Sequence, residues 1–201
     1  MNIAVFISGN GSNLKALIDA ESAGRLGGGS IALVVSDKPG AYGLERARAA
    51  GIETCVLRPR EFSSREEYDR AVRVELEKKE VGLIALAGFM RILSDSFVDE
   101  YYGRMINIHP SLLPSFKGVQ GIKDAYEYGV KITGVTVHFV NRELDGGPVI
   151  LQESVRINED DSTASLEEKI HRAEHEIYPE AVRLFVSGKL KIEGNKVRVL
   201  K

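Results

Sequence analysis

The sequence predicts an α/β fold: a doubly wound, mostly parallel sheet with helices on both faces and an antiparallel extension in the C-terminal half. Short apolar runs alternate with segments of helical periodicity through residues 1–109. The run VGLIALAG at 81–88 is apolar throughout, as expected of a parallel strand covered on both faces. The runs at 131–140 and 147–157 alternate around a glycine-containing turn, which predicts an antiparallel pair.

The first half supplies five strands and three helices. The strands are predicted at 2–7, 30–36, 52–57, 81–88 and 104–109. The first helix, 12–24, has leucine and isoleucine at helical spacing and closes at a glycine, and the second occupies 42–51. The third helix begins near Ser64, which has Glu67 at capping-box spacing.

The second half departs from this βα alternation. Residues 110–130 are typical of a loop and a short helix, and a long helical segment is predicted over 162–186. We expect an interruption at Pro179, because proline removes a backbone donor from a helix interior. The segment 189–200 predicts a terminal hairpin with a Gly-Asn turn.

The composition is that of an ordinary globular protein, and 201 residues fit a single domain. The net charge is −2 with acidic and basic residues mixed, so a nucleic-acid partner gains little support. No signal-peptide pattern opens the chain and no apolar run nears the roughly 18 residues of a membrane span, so we expect a cytosolic protein. Cys55 is the only cysteine, which excludes an internal disulfide.

The stretch INIHPSLLPSFKG, 106–118, is the first candidate for chemistry. Successive strand residues point to opposite faces, so Asn107 and His109 share one face at the carboxyl end of a predicted parallel strand. Open α/β sheets bind ligands at such ends. Pro110 stops the pairing, and Leu113-Pro114 is a candidate cis bond. The alternative, that the two polar groups merely cap a strand, stays open on the local sequence.

The segment SGNGSN, 8–13, follows the first strand and opens the first helix. Free amides and the helix dipole favour an anion there, which makes Gly11, Ser12 and Asn13 candidate phosphate ligands. Leu14 occupies the place of the last glycine of a dinucleotide fingerprint, so that motif is excluded. The alternative is a tight turn with Ser12 as the helix N-cap.

The segment HRAEH, 171–175, matches the H-x-x-E-H pattern of some zinc peptidases. At about 100° per residue, however, His171 and His175 fall away from the apolar stripe of their helix. Side chains that face solvent do not build a buried zinc site. We therefore interpret both histidines as surface residues and keep Glu174, on the flank of the stripe, as a candidate ligand contact.

Two further segments approach the same predicted edge of the sheet. The turn ELDGGPV contains two glycines that would let the backbone approach the fifth strand, where Asp145 would favour a protonated His109. On composition alone this segment is a turn. His138 shares a face with Thr136 and lies either in the same cleft or in the core.

The segment AGFMRILS, 87–94, leaves the fourth strand with Met90, Ile92 and Leu93 clustered around Arg91. Such a cluster is a candidate apolar wall with one polar handle for a flat ring system. The alternative is the start of a helix packed on the sheet.

Taken together, these segments resemble the folate-dependent formyltransferases over essentially the whole chain. The run NIHPSLLP with the downstream LDGGP is highly specific for that family. The N-terminal GNGSN points to its phosphoribosylglycinamide formyltransferase branch. Some relatives carry histidines after the PSLLP turn, where this chain has Gln120 and Ile122, so no imidazole role is implied there.

The resemblance implies roles for individual residues. It makes Asn107, His109 and Asp145 the catalytic trio. The ribonucleotide site would comprise Gly11, Ser12, Asn13 and Glu174. The formyl-folate site would comprise Arg65, Met90, Arg91, Ile92, Leu93 and Asn107.

The implied reaction passes the formyl group of 10-formyltetrahydrofolate to the amine of phosphoribosylglycinamide in purine biosynthesis, with no metal. Asn107 and protonated His109 would donate to the oxyanion, with Asp145 assisting. We expect a single domain with a nucleotide-binding half, 1–109, and a folate and catalytic half, 110–201. The implied partners are the two small-molecule substrates, without nucleic acid or membrane, and a homodimer is a candidate assembly.

Four other classes of protein are alternatives to a phosphoribosylglycinamide formyltransferase. A methionyl-tRNA formyltransferase is expected to carry a further basic C-terminal domain, and a formyltetrahydrofolate hydrolase a further N-terminal regulatory domain. A zinc peptidase would need the HRAEH helix to turn inward. A non-catalytic nucleotide-binding module would bind the ribonucleotide without transferring a formyl group.

Overall fold

The computed structural model describes residues 1–200. The main sheet contains β1 (Asn2–Ile7), β2 (Ser30–Ser36), β3 (Thr54–Val56), β4 (Val81–Leu86), β5 (Met105–His109), β6 (Ile132–Phe139) and β7 (Val149–Arg156). Their spatial order is β3-β2-β1-β4-β5-β6-β7. The first five strands are parallel, whereas the β5–β6 and β6–β7 pairs are antiparallel. The predicted mostly parallel sheet with an antiparallel extension is therefore confirmed.

Helices cover both faces of this sheet, as predicted. They are α1 (Ser12–Ser22), α2 (Tyr42–Ala49), α3 (Arg65–Lys78), α4 (Asp95–Glu100), α5 (Gly121–Tyr128) and α6 (Thr163–Val186). One apolar core joins the sheet to α1, α2 and α6, where Leu14, Leu44 and Leu166 are fully buried. The other joins it to α3 and α4 through Tyr68 and Phe97. Each such large apolar side chain contributes about 1.5–3 kcal/mol when removed from water.

Helix α6 continues through Pro179, so the predicted interruption is wrong. A proline in a helix interior removes one backbone bond, but tertiary packing outweighs that local preference here. Pro179 is buried, and the neighbouring Tyr178 is fully buried with its hydroxyl donating to the Leu86 carbonyl at 2.8 Å. The helix is thereby fixed to the sheet at the position of the proline.

The start of α3 confirms only half of the predicted capping box. Ser64 is the N-cap, and its hydroxyl accepts from the Glu67 amide at 3.1 Å. The Glu67 carboxylate accepts instead from the amide and hydroxyl of Ser63, one residue earlier than a capping box requires. Residues 87–94 form no helix, since α4 begins only after its N-cap Ser94.

The C-terminal segment forms a separate two-stranded antiparallel sheet, β8 (Leu190–Glu193) with β9 (Lys196–Val199), as predicted. Within residues 1–200, no helix combines the length and apolar content that crossing a bilayer requires.

The strand order changes direction between β1 and β4, and the loops that follow these strands touch. The Ser8 amide donates to the Gly88 carbonyl at 3.0 Å, and the Met90 amide donates to the Ser8 hydroxyl at 2.8 Å. Ligands of doubly wound sheets bind in the crevice at such a switch point. The fold therefore collects the loop after β1, the segment 87–94 and the end of β5 along one edge of the sheet.

Candidate active site

The pairing of β5 with β6 places the candidate residues of these strands in two neighbouring cross-strand pairs. Asn107 on β5 pairs with His138 on β6, and His109 pairs with Thr136. Directly opposite residues of an antiparallel pair share a face, so all four side chains lie on the same side of the sheet. The intervening Ile108 points into the opposite core. The alternation predicted for this strand is therefore present.

Asn107 is oriented by His138. The ring of His138 is 2% exposed, and its Nδ1 lies 2.8 Å from the Phe139 carbonyl, which makes Nδ1 the donor. Burial lowers the pKa of His138, outweighing the opposing effects of that hydrogen bond and of the Asp145 charge, and so favours the neutral ring. Its Nε2 then accepts from Asn107 Nδ2 at 3.2 Å. This bond determines which end of the Asn107 amide is the donor.

His109 has one ring nitrogen in the protein interior and the other toward a carboxylate. Nε2 donates to the Phe116 carbonyl at 2.8 Å, while Nδ1 lies 3.6 Å from Asp145 Oδ2. The second distance is longer than a hydrogen bond, so the imidazole and the carboxylate are close neighbours without a direct hydrogen bond. Only 5% of the His109 side chain and 8% of the Asp145 side chain are exposed, which limits screening by solvent.

Asp145 reaches His109 because its loop passes against β6. A Cβ atom on Gly147 would lie 1.8 Å from the Phe139 carbonyl oxygen, so only glycine fits there. Asp145 itself has φ of 51°, and its Oδ2 accepts from the Gly118 amide at 2.8 Å. The turn predicted from LDGGP therefore also brings a carboxylate to the end of β5. The Leu113-Pro114 bond in the facing loop is cis.

The loop after β1 presents the open N-terminus of α1. Gly11 is the N-cap with φ of 73°, and a Cβ on it would lie 2.7 Å from Gly43 Cα. No side chain among residues 1–200 caps this helix, so the Ser12 N-cap interpretation is wrong and the first amides are free for an anion. Asn13 Nδ2 donates to Glu174 Oε2 at 3.1 Å, which joins this loop to α6.

His171 belongs to the same cluster, although the helical pattern assigned it to the surface. Its Nδ1 donates to Glu174 Oε2 at 2.8 Å, and Glu174 is only 4% exposed. That hydrogen bond raises the pKa of His171 in spite of partial burial, and the charges of Glu174 and Glu167 add to the effect. The i,i+3 spacing of a histidine and a glutamate is the sequence signal that could have revealed this pair.

The candidate folate residues surround the loop that follows β4. Met90 and Ile92 are 61% and 63% exposed and present apolar side chains to solvent, whereas Leu93 is buried in the core below. Arg91 turns inward, with its guanidinium carbon 4.3 Å from the centre of the Tyr68 ring. Tyr68 lies one helical turn after Arg65 on α3, so this loop and the start of α3 are neighbours.

The H-x-x-E-H match has a different arrangement from a metal site. The His171 and His175 rings stack in parallel, with centroids 6.2 Å apart and an angle of 8° between them. Across residues 1–200, no group of three or more histidine, cysteine, aspartate or glutamate side chains is arranged to hold a metal ion.

An open helix N-terminus and an exposed apolar surface thus lie at the same edge of the sheet as a carboxylate, an imidazole and an oriented amide. A crevice of this kind at the switch point is typical of an enzyme that acts on small molecules. The formyl transferase family model matches residues 1–182, and the chain therefore belongs to the formyl transferase family.

Relatives of known name agree with this assignment. The chain is 48% identical to phosphoribosylglycinamide formyltransferase of Escherichia coli over 97% of its own length and 92% of that protein. It is also 48% identical to the trifunctional purine biosynthetic protein adenosine-3 of Chironomus tentans, but there it spans only 14% of the relative's length. The crystal structure of glycinamide ribonucleotide transformylase 1 from Symbiobacterium toebii superposes with a TM-score of 0.97 at 45% identity, covering 100% of this chain and 94% of that one.

Proposed function

We propose that this protein transfers the formyl group of 10-formyltetrahydrofolate to the amine of phosphoribosylglycinamide, a step of purine biosynthesis. The observation that carries the proposal is the convergence of Asn107, His109 and Asp145 between the phosphate-binding loop and the loop after β4. Family membership and the names of the full-length relatives support the same reaction.

The ribonucleotide binds through its phosphate at the start of α1. The backbone amides of Gly11, Ser12 and Asn13 supply hydrogen-bond donors, and the helix dipole favours the negative charge. Glu174, held by Asn13 and His171, accepts hydrogen bonds from the neighbouring sugar or amide groups of this substrate.

The formyl-folate lies along the loop after β4. Met90 and Ile92 offer exposed apolar surface to the ring system, and the exposed Arg65 supplies positive charge to its acidic end. Arg91, stacked on Tyr68, is the polar group within this apolar surface. Leu93 supports this surface from the core. The reactive end of the folate then extends toward Asn107 and the end of β5.

The chemistry is an attack of the uncharged substrate amine on the formyl carbon. As the C–N bond forms, the formyl oxygen becomes an oxyanion, which Asn107 Nδ2 and His109 stabilise by donating hydrogen bonds. The Nε2 proton of His109 is already given to Phe116, so the donor must be Nδ1–H of the charged ring. Asp145 stabilises that charge and receives the proton that the amine loses. Collapse of the intermediate then breaks the bond from the formyl carbon to the folate nitrogen, and the proton held by Asp145 passes to that nitrogen, directly or through water, which restores the carboxylate.

From this assignment we predict that the single domain divides into two functional halves. Residues 1–109 supply the phosphate loop, and residues 110–201 supply Asp145 and the antiparallel strands. None of these steps requires a metal ion. The small-molecule partners are the ribonucleotide and the formyl-folate.

The test is a spectroscopic assay of formyl-folate consumption with and without glycinamide ribonucleotide. We expect consumption that depends on both substrates. Consumption without the ribonucleotide would identify a formyl-folate hydrolase instead. An absence of consumption in both cases, with retained ribonucleotide binding, would identify a non-catalytic nucleotide-binding module.

A further inference from the structure

A row of polar side chains extends from the candidate catalytic histidine across three strands, buried on β5 and β6 and exposed on β7. His109 pairs with Thr136, and Thr136 pairs with Gln152 on β7. Paired residues share a face, so the three side chains stand side by side. Thr136 is fully buried although it is polar, which requires that its hydroxyl be satisfied within the protein.

The Thr136 hydroxyl makes three hydrogen bonds, two with the loop after His109 and one with Gln152, which also bonds to that loop. It donates to the Ser111 carbonyl at 2.7 Å and accepts from the Leu113 amide at 3.0 Å. It also accepts from Gln152 Nε2 at 2.9 Å, and the same Nε2 donates to the Leu113 carbonyl at 3.0 Å. Thr136 and Gln152 together hold both backbone groups of Leu113.

This attachment continues to the ring of His109. The Ser111 hydroxyl donates to the Ser115 carbonyl at 2.5 Å, which closes the loop one residue before Phe116. The Phe116 carbonyl in turn accepts from His109 Nε2 at 2.8 Å. Gly121 packs closely against this hydrogen bond. A Cβ atom on Gly121 would lie 3.1 Å from the Phe116 carbonyl oxygen and 3.3 Å from His109 Nε2.

We propose that Thr136 is a positioning residue for His109. By fixing the loop 111–115, its hydroxyl keeps the Phe116 carbonyl against Nε2, and this bond turns Nδ1 toward Asp145 and the reacting formyl group. The inference rests on the proposed function. It adds that the orientation of the imidazole is determined from β6 and β7, through residues that do not touch either substrate.

The test compares Thr136→Val, which keeps the shape but removes the hydroxyl, with Thr136→Ser, which keeps the hydroxyl. We expect Thr136→Val to lower kcat roughly 10- to 100-fold, because small misplacements of a catalytic group have effects of that size. The KM for the ribonucleotide should change little, since the phosphate loop lies elsewhere. Thr136→Ser should stay within about threefold of the wild-type kcat.

Nitrogen-15 NMR of the imidazoles supplies a readout that a loss of stability alone would not change. In wild type and Thr136→Ser, we expect a slowly exchanging Nε2 proton on His109, and in Thr136→Val its loss while the chain stays folded. A wild-type kcat in Thr136→Val, equal losses in both variants, or a retained Nε2 signal beside a lowered kcat would overturn the proposal.

A second variant keeps the test decisive if Thr136→Val fails to fold. Gln152→Leu removes only the outer bonds at the more exposed end of the row, so the protein should fold with an intermediate loss of kcat. An unchanged kcat and Nε2 signal in that variant would contradict the proposal. If the wild-type protein itself transfers no formyl group, it is the proposed function that fails, and the NMR comparison still decides the orientation of the ring.

Discussion

At the residue scale, the candidate site depends on which atom of each polar side chain is free. The neutral His138 accepts from Asn107 and the Phe116 carbonyl accepts from His109. The first bond makes the Asn107 side-chain nitrogen the donor end of its amide, and the second leaves His109 Nδ1 facing Asp145. A polar group that is oriented before the reaction requires no reorganisation when charge develops, which is the origin of oxyanion stabilisation.

Removing the amide of Asn107 should affect turnover far more than folding. We expect Asn107→Ala to lower kcat about 10²- to 10³-fold, as for other lost oxyanion donors, with a smaller change in KM for the ribonucleotide. Steady-state kinetics measures both. Asn2→Ala is the matched control. The side-chain amide of Asn2 also donates a partly buried hydrogen bond, to the Lys79 carbonyl at 2.7 Å, but Asn2 lies at the start of β1, away from the candidate site. A near-wild-type rate in Asn107→Ala would remove this residue from the mechanism.

The sequence predicted part of this residue-level arrangement. Strand alternation was sufficient to place Asn107 and His109 on one face, and the glycines of LDGGP indicated that Asp145 could approach them. The bonds to His138 and Phe116 follow from strand pairing and from a loop conformation with φ of 51° at Phe116, which local patterns do not encode.

At the element scale, α6 shows how tertiary contacts override local preference. Its proline was expected to interrupt the helix, yet the helix continues because Tyr178 and its neighbours pack on the sheet. The same docking brings Glu174 to the loop after β1 and carries His171 with it. The amphipathic pattern predicted which face of α6 is buried. It did not predict which loop would contact the residues at the edge of that face.

The pair on α6 predicts a pH-dependent contribution to stability. Because the folded-state pKa of His171 is raised, the contribution is fully present below the ordinary value of 6.5 and is lost as pH rises through the folded-state pKa. The His171 side chain is 41% exposed, so we expect at most about 1 kcal/mol, or a shift of about 2–4 °C in Tm.

His171→Gln tests this because glutamine can still donate to Glu174 but carries no charge. Calorimetric scans from about pH 5.5 to about pH 8.5, roughly one unit below to two units above the ordinary pKa, should show the wild type more stable at low pH and the difference in Tm shrinking as pH rises. The pKa of the stacked His175 is lowered by burial and also by the charge of His171, so the same comparison is repeated in a His175→Gln background, which removes this neighbour. A difference that is constant or grows with pH would contradict the assignment.

At the scale of the whole molecule, the sheet order decides where the site lies. The loops after β1, β4 and β5 meet at one edge only because β1 and β4 are neighbours. The sequence predicted the number and type of these strands, since parallel strands are continuously apolar and helices have their own period. It did not specify the spatial order, which depends on contacts between segments far apart in the chain.

The proposed reaction passes one carbon from the folate to the ribonucleotide amine under the control of Asn107, His109 and Asp145. The most direct measurement supplies 10-formyltetrahydrofolate with carbon-13 in the formyl group and follows the label by mass spectrometry and NMR. We predict one labelled formyl group on the ribonucleotide amine for each folate consumed. In Asp145→Asn, which keeps the shape of the side chain, most of this transfer should disappear while the protein stays folded. Label released as free formate, or undiminished transfer by Asp145→Asn, would contradict the account.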